Sequence, residues 1–173
     1  VTDRVRLSKR MSRALRHEPA RIGIELDDEG WTSVEALVAV LGVTRADVED
    51  VVHHGSKPRY ELDGGRIRAR YGHSVAGRVE LPVADPPAVL FHGTGPTTAG
   101  AVREEGLRPM GRQYVHLSGD EATARQVGAR HGGVPVVFVV DAAAAAEAGV
   151  VFRRGNDDTW LVAGIGPEFL SAR

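Results

Sequence analysis

Tyr60-Glu61-Leu62-Asp63-Gly64-Gly65-Arg66-Ile67-Arg68-Ala69 decides the fold of the first half of this chain. Tyr60-Glu61-Leu62 and Arg66-Ile67-Arg68-Ala69 read as two strands, and Asp63-Gly64-Gly65 as the turn that joins them. Three helices are expected ahead of this hairpin. Leu7, Met11, Ala14 and Leu15 share one helical face, with Arg6, Lys9, Arg10 and Arg13 mostly elsewhere. Pro19 disfavours helical geometry at Glu18, which leaves Arg16 and His17 in a C-terminal turn where side chains can leave the cylinder. A second helix starts at Ser33, buries Val34, Leu37, Val38 and Leu41, and stops at Gly42. A third starts at Thr44, with Asp47 completing a capping box and Val48, Val51 and Val52 on its apolar face. Three helices and a hairpin predict a winged-helix-like lobe over residues 1–82.

Val83-Ala84-Asp85-Pro86-Pro87 reads as a linker, and the pattern changes after it. Strands are expected at Ala88-Val89-Leu90-Phe91, Tyr114-Val115-His116-Leu117 and from Val134 to Val140. Helices fall between them, from Thr97 to Glu105 with Gly106 as stop, and from Asp120 to Arg130 with Ser118 and Glu121 as a capping box. Asp141 opens an alanine-rich helix through Ala148, and the runs from Val150 to Arg153 and from Trp160 to Val162 suggest two last strands. The fold class is α+β, with a second lobe over residues 88–173.

Composition narrows the function. The 173 residues are 42% hydrophobic and 26% charged, as in a soluble globular protein. A formal net charge of −1 means that any anion site must be local. The first 21 residues nonetheless carry seven Arg or Lys against Asp3 and Glu18. With no cysteine, thiol catalysis, Cys-ligated zinc and disulfides are excluded. No apolar run reaches ~18 residues, so no membrane span is expected. No apolar core follows the N-terminal charges, so the cytoplasm is the expected location. Without a coiled-coil pattern, a monomer is expected. His53 and His54 are adjacent and no HExxH spacing exists, so no metal site is expected. Neither GxGxxG nor GxxxxGK[ST] occurs, which excludes a Rossmann fingerprint and a P-loop.

Arginines carry the chemistry. The planar guanidinium donates two parallel charge-assisted hydrogen bonds to a phosphate, so Arg16, Arg59 and Arg112 together could surround one. Singly, each reads as a solvated surface charge. His17 could bind or protonate a phosphoryl oxygen, or serve only as a helix C-terminal histidine. His92-Gly93-Thr94 ends an apolar run, where Gly allows a ligand close to the backbone. His116 alternates with Val115 and Leu117, so the two histidines either line one cleft or are ordinary polar positions of a sheet.

Taken in order, Leu15-Arg16-His17, Gly23-Ile24-Glu25-Leu26-Asp27 with Gly30-Trp31, Lys57-Pro58-Arg59-Tyr60, Ile67-Arg68-Ala69 with Gly72-His73-Ser74, His92-Gly93-Thr94, Tyr114-Val115-His116-Leu117-Ser118 and the stretch from Ala122 to Gly132 resemble the NAD-dependent RNA 2'-phosphotransferase family over nearly the whole chain. The resemblance implies a winged-helix-like lobe joined to an ADP-ribosyltransferase-like lobe. It implies Arg16, His17, Arg59 and Arg112 as the catalytic group. It also implies a pocket for NAD at His92, Gly93, Thr94, His116, Ser118, Gly128 and Arg130, with a hydrophobic residue near Leu161 on a later strand. Lys57, Arg68 and His73 would contact the substrate.

The implied reaction consumes NAD. An internal RNA 2'-phosphate attacks C1'' of the nicotinamide ribose and nicotinamide leaves. The 2''-hydroxyl then attacks phosphorus, which frees the RNA 2'-OH and ADP-ribose 1'',2''-cyclic phosphate, as in tRNA splicing. No metal is implied, and the partner is a 2'-phosphorylated, tRNA-like RNA. The other readings are ADP-ribosylation of 5'-phosphate ends and a non-catalytic winged-helix nucleic-acid-binding module. Tyr60 and Tyr71 depart from the family, which usually has Phe and Gln there, and these departures bear on RNA preference more than on the reaction.

Overall fold

A computed structural model describes residues 3–75 and 79–173. The chain divides into two compact units, Val1–Leu81 and Pro82–Arg173. Each has its own hydrophobic cluster. Among the described residues there are six α-helices and two antiparallel sheets, so the α+β reading holds at that level.

The first unit comprises α1 (Arg4–Arg16), β1 (Thr32–Ser33), α2 (Val34–Leu41), α3 (Arg45–His54), β2 (Tyr60–Asp63) and β3 (Arg66–Ala69). The start signals expected at Ser33 and Thr44 operate, and Asp3 supplies one for α1 that was not read in the sequence. Asp3 caps α1, the Ser33 hydroxyl accepts from the Ala36 amide, and Thr44 and Asp47 form a reciprocal capping box. Gly42 ends α2 at φ 62, in the left-handed region. Leu7, Met11, Ala14 and Leu15 are buried against Leu37, Val48, Val51, Tyr60 and Ile67. Fully burying a Leu- or Ile-sized side chain is worth roughly 1.5–3 kcal/mol, so this one face accounts for the helix.

The hairpin pairs Tyr60 with Ala69, Glu61 with Arg68, Leu62 with Ile67 and Asp63 with Arg66. Its two-residue turn is Gly64-Gly65, at φ 54 and 87. Positive φ at both central residues makes the reversed turn that matches strand twist. A short β1, absent from the sequence reading, adds to β3 and gives the order β1-β3-β2.

The second unit comprises β4 (Val89–Thr94), α4 (Pro96–Glu105), β5 (Val115–Ser118), α5 (Glu121–Ala129), β6 (Val136–Asp141), α6 (Ala142–Glu147), β7 (Phe152–Arg154), β8 (Thr159–Val162) and β9 (Leu170–Ala172). Its sheet runs β7-β8-β5-β4-β6-β9. Leu90, Leu117, Phe138, Val140, Phe152 and Val162 pack with Ala99 and Val102 of α4 and Ala142 and Ala145 of α6.

Three local expectations change. The cap of α5 is Asp120, whose carboxylate accepts from the Thr123 amide at 2.7 Å; Ser118 is a residue of β5, not a cap. Residues 83–87 do not begin as a free tether. Val83 bridges to Arg153, and the Ala84 amide donates to the Phe152 carbonyl at 3.1 Å. The strand β9, unread in the sequence, pairs with β6.

Candidate functional site

In the first unit the candidate residues gather where α1 ends. The helix leaves its path at His17, whose φ is −123 and whose amide still donates to the Arg13 carbonyl at 3.2 Å. The segment Tyr71-Gly72-His73-Ser74 crosses this end. The Ser74 amide donates to the Arg16 carbonyl at 2.8 Å, and the Ser74 hydroxyl lies 2.8 Å from His17 Nδ1. His17 is exposed, so Ser74 holds an imidazole that still meets solvent.

Arg16 is half-buried, and its Nε and Nη2 are shut off from solvent. Its guanidinium lies 5.7 Å from the Tyr60 ring centroid and 5.2 Å from that of Tyr71. Two aromatic faces thus fix the cation by its attraction to their π-electrons. Gly72, at φ +86, passes so close that a Cβ there would stand 3.4 Å from Arg16 Nη1. The two departures from the family, Tyr60 and Tyr71, are therefore the two rings that flank Arg16. The Tyr60 hydroxyl donates to the Ser8 carbonyl at 2.6 Å, which satisfies the oxygen that a Phe would lack.

His73 is only 3% exposed. Burial first, then the charges of Arg16, His17 and Arg68, push its pKa down to about 4. Its Nε2 is buried without a hydrogen bond, beside Gly30. It stands as a neutral, buried group behind the arginine. Arg68 is likewise withdrawn. Its side chain is 12% exposed, its Nε and Nη2 reach Glu61 at 2.9 and 2.8 Å, and its guanidinium covers Trp31 at 4.5 Å. Both were expected at the substrate; the structure places His73 in the interior of the unit and Arg68 in an ion pair with Glu61 on the hairpin. Lys57 is exposed in the loop before β2.

Arg59 is half-buried at the start of the hairpin, and its carbonyl accepts from the Arg70 amide at 2.9 Å. Arg70 thus stands opposite Arg59, one rung beyond Tyr60 and Ala69. The sequence reading passed over Arg70, although counting outward from Gly64-Gly65 would have paired it.

In the second unit, β4 and β5 share a single registered pair, Phe91 with Ser118. Beyond it the His92 side chain spans the strands, with Nδ1 2.9 Å from the His116 carbonyl. A carbonyl only accepts, so Nδ1 carries the proton. Burial lowers the His92 pKa, the His116 carbonyl raises it less, and His131 lowers it again. A neutral ring protonated at Nδ1 leaves Nε2 as an acceptor. His116 is half-buried and faces Leu161 in β8, the hydrophobic position expected beside it. Thr94 is buried, Ser118 half-buried, and Arg130 is exposed as the residue that ends α5.

Gly93 and Gly128 have a structural use. A Cβ on Gly93 would collide with the Ala124 carbonyl, and one on Gly128 would stand 3.0 Å from the Thr94 amide nitrogen. Their missing side chains let α5 lie on β4. Arg112 is exposed in the loop before β5. Among the described residues no group of three or more His, Asp or Glu could hold a metal ion, and no helix is long and apolar enough to cross a membrane.

Residues 2–164 match the family described as RNA 2'-phosphotransferase, Tpt1 / KptA family. The chain is similar to a probable RNA 2'-phosphotransferase of Streptomyces griseus, 44% identical over 98% of this chain and 96% of that protein. It is also similar to proteins given the same description in Acetivibrio thermocellus and Streptomyces coelicolor. The first is 41% identical, covering 98% of this chain and 97% of the relative. The second is 45% identical, covering 96% and 93%.

Proposed function

We propose, for a chain that belongs to the RNA 2'-phosphotransferase, Tpt1 / KptA family and is an enzyme of that type, that it removes an internal 2'-phosphate from RNA by passing it to ADP-ribose taken from NAD. The observation that carries this reading is Arg16, clamped between two tyrosine rings at the end of α1, with His17 tied to Ser74 beside it. A fixed fork of donors is what a phosphate needs if it is to be held while its bonds change. The three helices and hairpin of the first unit support a winged-helix-like assignment. The His92 bridge across a briefly paired β4 and β5 supports an ADP-ribosyltransferase-like one.

The residues suit NAD by their donors and acceptors. Neutral His92 offers an acceptor at Nε2, and Thr94 and Ser118 offer hydroxyls, the complement of ribose hydroxyls. Arg130 is exposed and suits a pyrophosphate. Gly93 and Gly128 serve by seating α5 against β4. Bound there, NAD would supply an electrophilic ribose carbon and a leaving nicotinamide. Arg16, Arg59 and Arg112 would bind the 2'-phosphate and neutralise charge as phosphorus becomes five-coordinate, a task that a metal ion performs elsewhere. His17, exposed and held at Nδ1, would present Nε2 to a phosphoryl oxygen or protonate the departing RNA 2'-oxygen. The reading includes a cytoplasmic, monomeric enzyme.

The test is incubation with NAD, a chelator and an RNA carrying one internal 2'-phosphate. Loss of that phosphate with release of nicotinamide is expected. A folded sample that leaves both RNA and NAD intact would overturn the proposal.

A further inference from the structure

The outer face of the β2–β3 hairpin carries three successive cross-strand rungs. Arg66 faces Asp63, with Nη2 3.3 Å from the carboxylate. Arg68 faces Glu61 with two short contacts, at 2.8 and 2.9 Å. The next rung breaks the pattern, because Arg59 faces Arg70. Among the described residues neither of these two arginines has an ion pair, both are half-buried, and Arg70 Nε is closed to solvent without a hydrogen-bond partner there. Like charges directly opposite one another destabilise a ladder, and a buried unsatisfied donor adds to the cost. A hairpin that neutralises two rungs and leaves the third doubly cationic holds a place for an anion with more than one charge.

We infer that Arg70 is a specificity-determining residue that binds the 3'-phosphodiester next to the 2'-phosphate held by Arg59. The inference rests on the proposed 2'-phosphotransferase function. An internal 2'-phosphate always has a phosphodiester on the adjacent ribose carbon, so the substrate presents two phosphates side by side. Side chains directly opposite on antiparallel strands start about 4.5–5.5 Å apart at Cβ, which suits two neighbouring anionic groups. Arg70 touches no reacting bond. It recognises that the 2'-phosphate lies within a strand rather than at a 3' end, where the neighbouring group is a hydroxyl.

Three RNA oligonucleotides test this: one with an internal 2'-phosphate, one with the same site but a neutral methylphosphonate as the vicinal linkage, and one with the 2'-phosphate on a 3'-terminal nucleotide. Binding without NAD is read by fluorescence anisotropy, and turnover by kcat and KM, for the wild type and Arg70→Gln. The wild type is expected to bind the internal phosphate about tenfold more tightly than the other two. Arg70→Gln is expected to bind all three alike, with KM for the internal substrate raised about tenfold and kcat within about twofold. The methylphosphonate comparison uses unaltered protein, so it decides even if the variant folds poorly. A wild type indifferent to the methylphosphonate, or a folded Arg70→Gln that keeps the preference, overturns the inference and leaves the function standing. A wild type that neither binds nor turns over any 2'-phosphorylated RNA overturns both.

Discussion

On the proposed function, Arg16 is held ready for a phosphate before any phosphate arrives. The Tyr60 and Tyr71 rings and the passing Gly72 backbone restrict its rotamers. Lysine at that position keeps the charge but loses the planar fork and much of its stacking. Arg16→Lys is therefore expected to fold and to lose at least about 100-fold in kcat, the scale of removing one preorganised donor from a transition state. A melting curve and single-turnover rates check it, and a folded variant with wild-type kcat would remove Arg16 from the reacting phosphate. His73 behind it makes a different prediction. Its pKa falls from an ordinary 6.5 to about 4, so the unfolded chain takes up a proton there before the folded one does. The stability of neutral His73 is complete above pH 6.5 and is lost as pH falls toward 4, by about 1.4 kcal/mol per pH unit within that window. Urea unfolding of wild type and His73→Gln across that range should give a difference curve with roughly this slope; a flat difference would place His73 in contact with water. The position of Arg16 and His17 at the end of α1 was legible because helical period and Pro19 fix where that helix stops. The Glu61 partner of Arg68 and the burial of His73 were not legible, because sequence pattern does not report cross-strand ion pairs or burial at polar positions.

At the scale of elements, glycines set where the cationic residues stand. Gly64-Gly65 makes the two-residue turn that registers Arg66 on Asp63, Arg68 on Glu61 and, last, Arg70 on Arg59. An L-residue in the left-handed region costs roughly 1–2 kcal/mol, so Gly65→Ala is expected to lower the free energy of unfolding by that amount, read as a lower urea midpoint at unchanged m. If the register holds, turnover follows stability; if it slips, RNA binding falls further than stability does. Gly93 is the stricter case. A methyl there meets the Ala124 carbonyl, which is backbone and cannot rotate aside, so Gly93→Ala is expected to unseat α5 and cost more than about 3 kcal/mol. Circular dichroism melts would show this, and an unchanged melt would mean that α5 sits elsewhere. The capping signals at Ser33 and Thr44 were legible because a hydroxyl precedes each apolar run. The start of α5 was not, since Ser118 and Asp120 both stand before the helix and only the strand pairing of Ser118 with Thr159 decides between them. The strands β1 and β9 are two and three residues long, too short for alternation to register.

For the molecule as a whole, a net charge of −1 means that attraction to RNA cannot come from a general positive field. On the proposed function it comes from individual cations, and among the described residues Arg59 and Arg70 on the hairpin and Arg112 before β5 make no ion pair with a carboxylate. Counterion release then predicts a shallow salt dependence. Each single-strand phosphate neutralised contributes about 0.7 to the slope of log affinity against log salt concentration. Three or four such contacts give a slope of about 2–3, far below that of proteins that grip a long stretch of backbone. Arg70→Gln should reduce it by about 0.7, because one phosphate is released, whereas Arg68→Gln should leave the slope alone and lower stability, because Arg68 belongs to Glu61 and Trp31. Anisotropy titrations of one 2'-phosphorylated oligonucleotide at four salt concentrations measure all three slopes. A steep wild-type slope would mean that the basic first helix, not the hairpin rung, holds the RNA. Equal loss of slope from Arg68→Gln and Arg70→Gln would mean that the outer face of the hairpin binds as a diffuse charge rather than as a two-arginine site.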